Sequence, residues 1–174
     1  MPFEFRNLDR ETRRRMGEEI AAAIRDGNLY YSKRFNQAGI DAWPSLLSEA
    51  AENHDEHWLA YQLEAQGHIK GMEGSATPSG GYTIKHVPHT AAETMAEGQF
   101  NRYYMLAVCG RAIASGTPHV VVYRAKEVAA PRPESEALVG QRLDPLTLAD
   151  EIRPVDASLG HALLKPNSGL SVGS

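Results

Sequence analysis

Apolar positions recur at helical spacing through the middle of the chain, and the neighbouring elements are placed from there. Met95, Ala96, Tyr103, Leu106, Ala107, Ile113 and Ala114 fall on one stripe, and Tyr104, Met105, Val108 and Cys109 make the centre apolar on nearly every side. A helix of that kind is buried in protein. Thr90 precedes it with Glu93 three residues on, the spacing of a capping box. Gly116 and Thr117-Pro118 end it, so the pattern predicts a helix over 91–115. Alternation stopped by Pro88 predicts a strand over 82–87, and the β-branched run after His119 predicts a second over 119–127. Strand, helix and strand make a βαβ-like unit, whose strands would be parallel if they shared one sheet.

The first third reads as helical. Asp9 caps a helix that carries Met16, Ile20, Ala23 and Ile24 on one face and stops at Gly27. Arg13-Arg14-Arg15 fans out around that helix, with Glu11, Glu18 and Glu19 near enough to offset it, and reads as a solvated face. Ser32 is placed to cap a short helix to Gly39, and Asp41 another with Pro44 in its first turn. After a turn at Asn53 or Asp55, Trp58, Leu59 and Leu63 carry a third, which makes an αα-hairpin. Phe3 to Arg6 alternates as a short edge strand would, and Gly71 to Gly81 reads as a flexible connector.

Beyond residue 128 the character changes. Pro131, Pro133, Pro145, Pro154 and Pro166 punctuate the chain, with one helix from Pro145 to Ile152 capped by Asp144. The expected fold is α+β: a helical N-terminal half, a small sheet around the βαβ-like unit, and an extended C-terminal arm. The expected organisation is a globular domain over 1–128 and an arm over 129–174, packed on that domain or on a neighbouring subunit.

Composition narrows the function classes. At 174 residues and 42% hydrophobic content the chain can bury a proper core. No apolar run approaches the roughly 20 residues of a membrane span, and the N-terminus lacks the apolar core of a signal peptide. A net charge of -4 argues against a dedicated nucleic-acid partner. The single cysteine forbids an intramolecular disulfide and fits a cytoplasmic protein, or one in a particle assembled there.

Candidate chemistry is sparse. His54/His57 and His86/His89 form two His-x-x-His pairs, which would hold zinc or a similar divalent ion if they met in space. Arg102 and Arg111 interrupt the apolar helix and need acidic or carbonyl partners, for which Glu134 and Glu136 are the candidates, with Arg124 nearby. These five are the expected interaction residues. Cys109 belongs to the apolar centre, where burial makes a thiol inert. No phosphate loop, dinucleotide fingerprint, nucleophile elbow or Cys-x-x-Cys is present, so no catalytic residue or cofactor is assigned. The expected function is a non-enzymatic interaction or assembly protein that self-associates through its arm, within a larger phage-like or bacterial particle. The competing readings are a metal-dependent hydrolase using the histidines, and a regulatory module that binds a basic partner through the acidic 41–64 helical hairpin.

Overall fold

Asp9 opens α1 (Arg10–Asp26) by accepting the N–H of Thr12 at 3.0 Å, and Gly27 closes it. The computed structural model describes residues 2–174 apart from the side chain of Leu159. α2 (Gln37–Asn53) and α3 (Glu56–Ala65) follow, then a hairpin of β1 (Met72–Ala76) and β2 (Tyr82–His86). Next come the central helix α4 (Ala91–Ser115), β3 (Val120–Arg124), the helical turn α5 (Pro133–Glu136), β4 (Arg142–Leu143) and α6 (Pro145–Ile152). A short α7 (Ala157–Gly160), a 3₁₀ turn (Ala162–Leu164) and β5 (Leu170–Gly173) end the chain. The fold is α+β with a helical N-terminal half and two small antiparallel sheets. Among the described residues no helix is long and apolar enough to cross a membrane.

α4 is the axis of the core. α1, α3 and α6 pack on it, and Phe100, Tyr104, Met105, Ala107 and Cys109 are fully buried along it. Burial pushes the Cys109 thiol up to about 12, the inert state expected of it. The capping box at the start of α4 does not form. Thr90 makes no side-chain cap, and Glu93 instead accepts a 3.0 Å bond from Lys126 beyond β3.

The strands flanking α4 lie in different sheets. Among the described residues β2 pairs with β1 alone, whereas β3 is the centre of a β4-β3-β5 sheet, antiparallel on both sides. The condition for a parallel crossover is therefore not met. β5 reaches β3 from the far end of the chain, in the register Val122↔Val172. Its Leu170, Ser171 and Val172 are fully buried, and Asn101 of α4 holds it from beneath through Leu170 O at 2.8 Å and Ser171 Oγ at 2.6 Å. Gly169 leads in with φ +66, and a Cβ there would lie 2.2 Å from Lys126 O. No other residue fits that approach. The segment after 128 is thus built into the same core as α1–α4.

Several local expectations shift. α2 is one helix capped by Asn36, and Pro44 lies inside it rather than in its first turn. Burial of Trp43, Leu47, Ala50 and Ala51 offsets the hydrogen bond that Pro44 cannot donate. Arg13 is not merely a solvated charge: its guanidinium donates to Ala51 O at 2.9 Å and His54 O at 2.7 Å, closing the end of α2. Phe3 to Arg6 forms no strand: Arg6 begins a turn, and one backbone bond, Glu4 N–H to Ala125 O, ties the segment to the end of β3. Its rings do more, since Phe5 packs on Phe100 and Tyr104 at 5.3 and 4.6 Å between centroids.

Glu56 is buried at the start of α3 and accepts the Phe3 N–H at 2.8 Å. Burial is the main reason its carboxyl is held above the ordinary value of 4.5, with the Phe3 bond pulling the other way. In the unfolded chain the group titrates normally. The folded protein keeps the proton longer, so stability from this group is present below 4.5 and lost as pH rises through the folded value. Glu56→Gln keeps an acceptor for Phe3 and carries no charge. It should match the parent at low pH and become the more stable protein as pH approaches neutrality. Denaturant midpoints across that range check this, and midpoints that stay parallel contradict it.

Candidate interaction surface

Of the five expected interaction residues, Arg102, Arg111, Arg124 and Glu136 are bonded to other parts of the chain, and only Arg102 is buried. Arg102 is 1% exposed and donates to the carbonyls of Ile152, Arg153 and Pro154 at the end of α6, at 2.8, 2.5 and 3.0 Å. Arg111 pairs with Asp9 at 2.7 Å and reaches Thr12 Oγ1 at 2.9 Å. Neither meets Glu134 or Glu136. Glu136 pairs with Arg124, which also donates to Ser168 O at 2.8 Å, and Glu134 stays exposed on α5. The Pro133–Glu136 stretch is helical, so its two carboxylates do not share one side as they would in an extended chain.

The histidine pairs do not assemble. His54 ends α2 and stacks on Trp58 at 4.1 Å between centroids, while His57 belongs to the next helix. The intervening break removes the one-face spacing that chelation requires. His86 lies on β2 and His89 in the exposed segment before α4. Among the described residues no three His, Cys, Asp or Glu side chains are placed to share a metal ion. In the acidic 41–64 region α2 packs on α3, with Glu49 turned to His54 and Glu56 buried.

A recess of about 260 Å³ lies between the first half of α4, Lys126 and the 165–169 loop. Its buried polar side chains are bonded within the chain. Lys126 bonds both Glu93 and Glu97, and Gln99 donates to Ser158 Oγ at 3.1 Å.

The β1–β2 hairpin is different. The residues read as a connector contain β1, turned back by a Pro78-Ser79-Gly80 loop in which Thr77 N–H donates to Gly81 O and Gly80 N–H to Thr77 O. Gly80 has φ +83, the left-handed position that a three-residue hairpin loop reserves for glycine. The register Gly74↔Ile84 puts Met72, Gly74, Ala76, Tyr82, Ile84 and His86 on one face. Glu73, Ser75, Thr83 and Lys85 share the other. The polar face is tied to the body: Arg34 grips Glu73 at 2.8 and 3.0 Å, and Lys85 stands 3.9 Å from it. The guanidinium holds the Glu73 carboxyl below its ordinary range.

The apolar face therefore points away from the core. Tyr82 is 78% exposed, Ile84 70% and Met72 45%. The Tyr82 ring lies over Gly74, where a Cβ would come within 2.3 Å of it, so the missing side chain makes room for an aromatic ring in solvent. An ordinary half-buried strand turns its polar positions outward. This hairpin is reversed. Alternation in 82–87 was visible in the sequence, but the direction of its apolar face depends on Arg34, 39 residues before Glu73. No protein-family model, curated protein or solved structure matches the chain.

Proposed function

We propose that this protein is a non-enzymatic interaction and assembly protein that self-associates through the β1–β2 hairpin. The observation that carries the reading is the outward apolar face of Met72, Ala76, Tyr82 and Ile84 on a two-stranded sheet, left exposed by the described residues. A lone hairpin is marginal in water, and a contiguous apolar patch on a soluble chain marks a contact surface. The polar face, fixed by Arg34 and Glu73, holds the hairpin in place without covering the apolar one.

Light scattering on the full chain over a dilution series should give a mass above that of the 19.1 kDa monomer at high concentration and the monomer mass on dilution. Ile84→Lys should be monomeric throughout and melt at the parent temperature, because the side chain makes no core contact. A monomer at every concentration, or an Ile84→Lys protein that keeps the higher mass, would overturn the reading.

A further inference from the structure

The hairpin reading can be taken to the level of a register. In an antiparallel pair, residues alternate between those that exchange both backbone bonds and those whose N–H and C=O point away from the partner strand. Val87 N–H bonds Gly71 O and Thr77 N–H bonds Gly81 O, so the bonded pairs are 71/87, 73/85, 75/83 and 77/81. Met72, Gly74 and Ala76 on β1, and Tyr82, Ile84 and His86 on β2, consequently aim their backbone groups at the two outer edges. Near the body, Lys70 N–H donates to Arg34 O, which places the 34–36 segment beside the residues that lead into β1. β2 is the outer strand.

We infer that a second copy of this chain docks edge to edge on β2, antiparallel, with the two-fold axis at Ile84; this rests on the self-association proposed above. In that register Ile84 faces Ile84 of the second copy, Tyr82 faces its His86, and Thr83 faces its Lys85. All three outward residues of each strand exchange both backbone bonds, which makes a four-stranded sheet with one continuous apolar face. The contact is isologous and closes on itself. Neighbouring registers are poorer. An axis at Lys85 sets like charges directly opposite one another. An axis at Thr83 pushes His86 past the end of the partner strand, against its Gly80 turn. Pairing through β1 centres on Gly74, which brings no side chain to the axis.

Cross-linking tests the register on the full chain. Bonded antiparallel residues stand about 5.5 Å apart between Cα atoms, within disulfide reach. Ile84→Cys should therefore oxidise to a covalent dimer under mild oxidant. Thr83→Cys, offset from its own copy by roughly 8 Å on the diagonal, should not. Cys109 is buried with its thiol pushed up to about 12 and stays silent in both. Ile84→Pro removes an outward N–H and none of the hairpin's own bonds, and should weaken association at least about tenfold. If both Ile84→Cys and the parent are multimeric by mass, yet Ile84→Cys does not cross-link or Thr83→Cys cross-links equally, the register is wrong and self-association stands. If the parent is monomeric at all concentrations, the self-association reading itself falls.

Discussion

A chain truncated after Val128 should not fold. The removed segment supplies six large buried side chains, Leu148, Ile152, Leu163, Leu164, Leu170 and Val172. At about 1.5–3 kcal/mol each, their loss is on the order of 10 kcal/mol, comparable to the whole stability of a domain. β3 would lose both neighbours, leaving the backbone of Val120 to Arg124 without a sheet, and Asn101 would lose both partners beneath β5. The circular dichroism spectrum of the truncated protein should lack a cooperative melt. A cooperative transition near the parent's would show that residues 129–174 are an appendage. That outcome would restore the arm as a separable assembly device.

The second large effect belongs to one side chain. Arg102→Met should lower stability by about 2–4 kcal/mol, because it leaves the Ile152, Arg153 and Pro154 carbonyls and Gln99 Oε1 without their buried donor. For a chain of this size that is a fall in melting temperature of roughly 10 °C. Methionine roughly replaces the volume, so the loss reports the hydrogen bonds rather than a cavity. Arg102→Lys should recover only part of it, since one ammonium on a flexible stem cannot span carbonyls met by a planar fork. Burial already lowers the pKa of this guanidinium, with Tyr103 and Glu19 pulling the other way. A melting temperature within 2 °C of the parent for Arg102→Met would contradict this assignment.

Elements specified by local chemistry were legible before the structure. Asp9 and Asp144 cap α1 and α6, and Gly116 ends α4, whereas Asp55, placed in the sequence only as an alternative to Asn53 for a turn, caps α3. Elements specified by distant partners were not. Met-Glu-Gly-Ser-Ala in β1 contains no β-branched residue, and it is a strand because β2 folds back on it. Leu170 to Gly173 is too short to read alone, and β3 with Asn101 makes it the most buried strand of the molecule. Pro44 suggested a helix start because proline is favoured there, whereas the buried face around Trp43 carried the helix through it. The sequence marks Arg102 and Arg111 as needing partners, but their position in it points to Glu134 and Glu136, which neither meets. Glu134 and Glu136 are close in sequence to the sheet, while Asp9 and the end of α6 are close to α4 in space. The candidate surface was half legible: β2 showed its alternation, but not which side would face water.

Amide hydrogen exchange across a concentration series tests the central claim most directly. Among the described residues the outward amides of the hairpin, Met72, Gly74 and Ala76 on β1 and Tyr82, Ile84 and His86 on β2, have no backbone partner, so in a lone monomer they should exchange at nearly the rate of open backbone. If copies meet on β2, the Tyr82, Ile84 and His86 amides become protected at high concentration and lose protection on dilution, while Met72, Gly74 and Ala76 on the other edge stay open and Thr83 and Lys85, already bonded to β1, change much less. Fast exchange at Tyr82, Ile84 and His86 at every concentration, in a sample whose mass is multimeric, would place the contact elsewhere on the molecule.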